Sequence, residues 1–199
     1  GNHLALVVGA QARKGGAFEV VPYLELAPIA ANGVGNTVTA KASGFAAGEA
    51  VALRWFQGAA ATEVATGTAD DTGGVALPFT VPQATRGIHR VEAVGDAGHA
   101  DDAAYEVRPR LVVSPAQPKV GDRVTVDLSG YAADEAVALT WRTACGAAGP
   151  LALATVPASP LGGGAHAFDL HETPGGGYVV QATDAAGAAR CHNLTVGPS

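Results

Sequence analysis

The pentad Val51-Ala52-Leu53-Arg54-Trp55 returns 86 positions later as Val137-Ala138-Leu139-Thr140-Trp141, inside a correspondence that runs through most of the chain. Pro22-Tyr23-Leu24-Glu25-Leu26-Ala27-Pro28 matches Pro109-Arg110-Leu111-Val112-Val113-Ser114-Pro115. Residues 37–42 match 123–128, and Ser43-Gly44-Phe45-Ala46-Ala47-Gly48-Glu49 matches Ser129-Gly130-Tyr131-Ala132-Ala133-Asp134-Glu135. A repeat of this period constrains the fold more than any single motif, because each copy must bury a core of its own.

The repeat also divides the chain unevenly. Gly1-Asn2-His3-Leu4-Ala5-Leu6-Val7-Val8-Gly9 aligns with Gly87-Ile88-His89-Arg90-Val91-Glu92-Ala93-Val94-Gly95 and with Gly176-Gly177-Tyr178-Val179-Val180-Gln181-Ala182-Thr183-Asp184. Phe18-Glu19-Val20-Val21-Pro22 then aligns with Tyr105-Glu106-Val107-Arg108-Pro109 and Leu194-Thr195-Val196-Gly197-Pro198. The expected organisation is a partial repeat over 1–22, a full unit over 23–109 and a second over 110–199. The chain contains no Met, which reads as a processed or excised portion of something longer.

Within each unit the apolar residues alternate. Val38, Ala40 and Ala42 hold one face of a strand, as do Val124, Val126 and Leu128; Val51, Leu53 and Trp55 hold the next, matched by Val137, Leu139 and Trp141. Gly and Pro contribute 27 and 12 residues, which suits many short strands joined by turns and leaves little room for long helices. Beyond the Trp the copies diverge, the second gaining an insertion around Cys145-Gly146-Ala147-Ala148-Gly149-Pro150 and Gly162-Gly163-Gly164. Residues 75–80 and 165–170 supply a further strand. The class is all-β, with seven strands per unit, one of them a weak strand after the Trp.

The Gly-Phe/Tyr turn, the Val-x-Leu-x-Trp strand, the Val-Pro step and the Gly-x-His/Tyr strand together resemble the tandem immunoglobulin-like domains of bacterial secreted and cell-surface proteins. The resemblance implies two β-sandwiches preceded by an orphan hairpin equivalent to the last two strands of a third. It also implies that Trp55 and Trp141 pack the cores and that Tyr178 bonds to backbone at a corner, with His89 and His3 at the equivalent positions. An extracellular or cell-surface location follows from the same likeness, and the family carries no shared catalytic residue.

Cys145 and Cys191 both fall in the second unit. In a standard sandwich their positions lie toward opposite ends of one sheet, beyond disulfide reach. Against that, the insertion carrying Cys145 and the confinement of both cysteines to one unit favour a mutual bond. A disulfide, free thiols and an intermolecular bond stay open at this point.

The chemistry-bearing residues form no recognised constellation. The net charge of −6 carries no basic stripe, so nucleic acid is not an expected partner, and no run of 18 apolar residues exists to span a membrane. His3, His89, His99, His166, His171 and His192 lack ligand spacing, and Asp70-Asp71-Thr72-Gly73-Gly74 and His99-Ala100-Asp101-Asp102 read as turn and strand edge rather than a calcium loop. No nucleophile elbow or phosphate loop occurs, so no enzymatic activity, metal or cofactor is expected. Phe56 should point outward beside the inward Trp55, where a sugar could stack on it.

The partial repeat gives the sharpest functional signal. Where the full units carry Arg90 and Glu92, or Val179 and Gln181, it carries Leu4 and Leu6, with Val8 beyond; Phe18 and Val20 add apolar positions on the partner strand. A lone two-stranded hairpin is marginal in water and leaves two open edges, so either a longer array has been cut, losing the strands that covered it, or another subunit completes it. The expected role is a non-enzymatic structural array, acting as a spacer or polymerising head-to-tail into a surface fibre, with other copies or neighbouring repeats as partners. The alternative is an accessory module of a larger secreted enzyme or adhesin that binds a glycan or protein.

Overall fold

The computed structural model describes the backbone of residues 2–8 and 13–19, and backbone and side chains of 20–29, 33–171 and 173–197. Every regular element among them is a β-strand. Two compact units divide the chain: Gly1–Ala31, Asn36–Val81 and Ile88–Tyr105 form one, and Asn32–Gly35, Pro82–Gly87 and Glu106–Ser199 the other. The second unit takes in three short segments from within residues 23–109, namely 32–35, 82–87 and 106–109.

In the first unit, β1 (Asn2–Val8) pairs antiparallel with β2 (Arg13–Glu19) as a two-stranded sheet. A three-stranded sheet follows, with β3 (Tyr23–Ala27), β4 (Thr37–Ser43) and β7 (Val75–Thr80) in that spatial order. The four-stranded sheet runs β6 (Ala60–Thr68), β5 (Ala50–Gln57), β8 (Gly87–Gly95) and β9 (Ala100–Val107). The chain changes sheet between β4 and β5, between β6 and β7 and between β7 and β8, so both sheets are needed to complete one core. Leu24, Leu26, Val38, Ala40, Val51, Leu53, Leu77, Phe79, Val91 and Ala93 fill it, each from the alternate position that the period of two predicts.

The second unit repeats the plan. A three-stranded sheet orders β10 (Arg110–Ser114), β11 (Arg123–Ser129) and β14 (Gly164–Asp169). A four-stranded sheet orders β13 (Leu151–Pro157), β12 (Ala136–Arg142), β15 (Gly176–Thr183) and β16 (Ala189–Val196). Its core includes Val113, Val124, Val126, Leu128, Tyr131, Val137, Leu139, Val180 and Leu194. The strand after the Trp, weak in sequence, is well formed in both units, because pairing to β5 and β12 supplies what its composition lacks.

The Gly-aromatic turn shows why glycine recurs there. Gly44 and Gly130 have φ of 87° and 71°, and a Cβ would meet the Val21 carbonyl oxygen at 2.5 Å and the Arg108 carbonyl oxygen at 2.6 Å. Only a residue without a side chain lets the entering strand pass so closely.

The structure departs from the sequence expectation in the hairpin and at the two Trp residues. The second hairpin strand lies at 13–19 and so begins ahead of the aligned segment 18–22: Leu6 pairs with Gly15 and Ala5 with Gly16, which puts both glycines in the ladder. The two Trp residues also differ. Trp55 is 2% exposed, stacked on His89 with centroids 4.9 Å apart and meeting the edge of Tyr105 at 5.8 Å. Trp141 is half-buried at the margin of the second core, against Phe168 and Tyr178 at 5.9 and 5.0 Å.

Candidate functional site

Three features organise what this molecule presents: the hairpin, the loops at the ends of the sandwiches and the outward faces of the four-stranded sheets. The hairpin is held by seven Cα partners from Asn2↔Glu19 to Val8↔Arg13, and neither strand belongs to any other sheet among the described residues. The side chains of Leu4, Leu6, Val8 and Phe18 lie outside the described residues. Val20 is described: half-buried, it lines a recess of about 630 Å³ with Phe45, Glu49, Asp71, Thr72 and His99.

A buried glutamate organises the loop end of each sandwich. Glu49 accepts from the Ala46 amide at 2.7 Å through Oε2 and from the Ala97 amide at 3.2 Å through Oε1, tying the β4–β5 connection to the β8–β9 turn. Glu135 does the same with Ala132 at 2.9 Å and Ala185 at 3.1 Å, and it gains a cation. Arg86 donates to Glu135 at 3.3 Å and to Asp184 at 2.8 Å, while Asp184 also accepts from the Ala186 and Ala188 amides. Sequence reasoning did not single out these glutamates, although their recurrence at one place in both copies was visible. Their chemistry is structural: each satisfies backbone donors that the turns would otherwise leave buried.

The cysteines are joined, with Cα atoms 5.9 Å apart. The two cysteines do not lie at opposite ends of the sheet, because the loop after β12 does not continue along the strand but turns back over β15. Gly146 in that loop donates to Gln181 Oε1 at 3.0 Å, and Gln181, opposite Cys191 in the β15–β16 ladder, is only 6% exposed. In the first unit the equivalent face is open and charged. Arg90 pairs with Glu92 at 2.8 Å, Arg54 approaches Glu92 at 3.7 Å, and the Arg90 guanidinium carbon sits 3.7 Å from the centre of the Phe56 ring. The ring face expected to receive a sugar is therefore occupied by Arg90.

The remaining sequence candidates have local roles. The Tyr178 hydroxyl donates to the Pro174 carbonyl, four residues upstream, at 3.1 Å, while His89 Nδ1 lies 3.1 Å from the Phe56 carbonyl. Asp70 Oδ1 accepts from the Thr72 hydroxyl and from the Thr72 and Gly74 amides, and these bonds, led by the Thr72 hydroxyl, hold its carboxyl below the usual range. Asp101 Oδ2 accepts from the Leu24 amide at 2.8 Å. Among the described residues no three His, Cys, Asp or Glu side chains gather as a metal site, and no helix is long and apolar enough to cross a membrane.

The order of strands in the two sheet pairs decides the fold. From Tyr23 onward the chain is a tandem of immunoglobulin-like β-sandwiches. No known family pattern matches it, and no curated protein does. Among solved structures it is similar to the tetra-tandem repeat in the extending region of a large adhesion protein, at 15% identity and a TM-score of 0.42 over 94% of this chain and 53% of that one. It is similar also to the BSP domain of a biofilm-associated protein, at 14% identity and a TM-score of 0.32, over 90% of this chain and 29% of that one. A third likeness is to the fibronectin(III)-like modules of Clostridium thermocellum CbhA, at 13% identity and a TM-score of 0.29, over 90% and 94% of the two chains. The chain thus spans about half the length of the adhesion-protein structure.

Proposed function

We propose that this chain is a non-catalytic structural array of the cell exterior, which assembles head-to-tail through its β1–β2 hairpin. The observation that carries the reading is that β1 and β2 form a sheet of their own, seven residues paired along each strand and no third strand beside them among the described residues. Two strands without a covering sheet are marginally stable in water, and their outer backbone groups favour pairing with another chain. A disulfide in the second unit suits an oxidising exterior. The contact joins unlike surfaces, so its head-to-tail repetition can extend a filament.

Sedimentation and negative-stain microscopy of the full chain test this. The native chain is expected to form concentration-dependent linear assemblies, and the full-length double variant Leu4→Lys/Leu6→Lys to stay monomeric. A native chain that stays monomeric at every concentration, or a variant that assembles as the native chain does, would overturn the reading.

The second reading, an accessory glycan- or protein-binding module of a larger secreted enzyme or adhesin, draws on the recess beside Val20. Its lining mixes an aromatic, Phe45, with the polar Asp71, Thr72 and His99, a combination suited to a small polar ligand. Glycan-array binding that is lost in Asp71→Ala and retained in Leu4→Lys/Leu6→Lys would favour it over assembly.

A further inference from the structure

Each sandwich has four outer strands, and the way each is protected narrows where another copy's hairpin can add. In the first unit, β3 has the Leu24 amide engaged by Asp101, and β9 carries Asp101 and Asp102. On β6, Glu63 is exposed opposite Arg54, and Pro78 lies inside β7, where it removes an amide donor. Charge and proline on edge strands are the ordinary means of blocking strand addition.

The second unit protects only part of its outline in this way. Arg190 on β16 donates to the Pro109 carbonyl, at the entrance to β10, and β16 is also fixed by Cys191. On β14, Asp169 is paired with Arg123. β13 carries no charge and no ion pair of this kind. Its sequence, Leu-Ala-Leu-Ala-Thr-Val-Pro, contains no ionisable group and no proline before its last residue. The contrast with the first unit is positional: Glu63 faces Arg54, whereas Thr140, which takes the place of Arg54, faces Ala152. Leu151 at the start of β13 is 65% exposed.

Resting on the assembly reading above, we infer that β13 is the acceptor edge for β1 of a second copy of this chain. The two strands match in chemistry and extent. β1 is Asn-His-Leu-Ala-Leu-Val-Val, seven residues without a formal charge when its histidine is neutral, and β13 is seven residues without an ionisable side chain. Addition would extend the four-stranded sheet by main-chain hydrogen bonds, with no charged side chain of either strand desolvated. β2, by contrast, carries Arg13, Lys14 and Glu19 and is the poorer strand to add. Donor and acceptor are different surfaces of the chain, so the contact is head-to-tail rather than self-complementary.

The test combines full-length variants with amide hydrogen exchange. Ala152→Glu/Thr155→Lys, at exposed positions, restores to β13 the kind of charge that β6 carries. It is expected to weaken assembly at least tenfold while the melting temperature stays that of the native chain. In native assemblies the β13 amides should exchange at least tenfold more slowly than in Leu4→Lys/Leu6→Lys, with β6 amides unchanged. If Leu4→Lys/Leu6→Lys blocks assembly yet β13 exchange is the same in both and Ala152→Glu/Thr155→Lys assembles normally, the hairpin docks elsewhere and this inference falls alone. If the native chain never assembles, the inference falls with the reading beneath it. Should Ala152→Glu/Thr155→Lys misfold, exchange in the native chain decides.

Discussion

Cys191 is bonded to Cys145 across β15, so the strap covers Gln181, the residue opposite Cys191 in the β15–β16 ladder. The bond spans 46 residues of sequence, and closing a loop of that size restricts the unfolded chain considerably. Replacing both cysteines by serine should therefore lower the stability of the second unit by roughly 2 to 4 kcal/mol. Urea unfolding followed by Trp141 fluorescence checks the magnitude. Amide exchange at Gly146, whose N–H is held by Gln181, should rise at the same time.

Tyr131 is 1% exposed, and its hydroxyl has no hydrogen-bond partner among the described residues. Removing that oxygen relieves an unsatisfied polar group, so Tyr131→Phe should be neutral or stabilising by about 1 kcal/mol near pH 7.

The same phenol makes the second unit sensitive to alkali. Burial raises its pKa from 10.0 to about 12, with Asp184 and Glu135 adding to the rise and Arg190 opposing it. Between these values the folded state holds a proton that the unfolded state has released. Stability is thus fully present below pH 10 and falls as pH rises toward 12, by on the order of 2 kcal/mol. Tyr131→Phe should flatten this decline in melts taken from pH 9 to 12; an unchanged slope would remove Tyr131 as its cause.

Gly95 lies directly under Glu49, and a Cβ there would sit 1.9 Å from Oε1. Gly95→Ala should displace the carboxylate and strand the Ala97 amide it accepts from, at a cost of about 2 to 3 kcal/mol in the first unit. The Trp55 environment reports it. Glu49→Gln in the same background should add little further loss, since the contact is already broken.

Asp134 has a φ of 57° where its counterpart Gly48 has 77°. A left-handed backbone suits glycine better than aspartate, so Asp134→Gly should stabilise the second unit by about 0.5 to 1 kcal/mol. Gly48→Ala should do the reverse in the first unit. Thermal melts of the two variants test the pair.

The strands were legible because alternation reports burial directly: Val38, Ala40 and Ala42 face one way whichever partner they meet. β7 at 75–80 could be read residue by residue for the same reason. Burial depth could not. Trp55 and Trp141 occupy one sequence position, yet Trp55 is enclosed by His89 and Tyr105 while the counterpart of Tyr105 in the second unit is Leu194, too small to close over Trp141. The Phe56 ring was legible as outward-facing but not as covered, because Arg90 reaches it from another strand.

By itself the sequence determined the repeat, the period of two, the turns that require glycine and the presence of a hairpin ahead of two full units. These are local properties, set by side-chain alternation and by φ. Tertiary structure alone decided which distant groups meet: that a loop doubles back so Cys145 reaches Cys191, that Glu49 and Glu135 fasten two turns each, and that β13 ends a sheet without the charge that guards β6. Such meetings depend on how strands are ordered across a sheet, and strand order is a property of the folded chain that no single segment encodes.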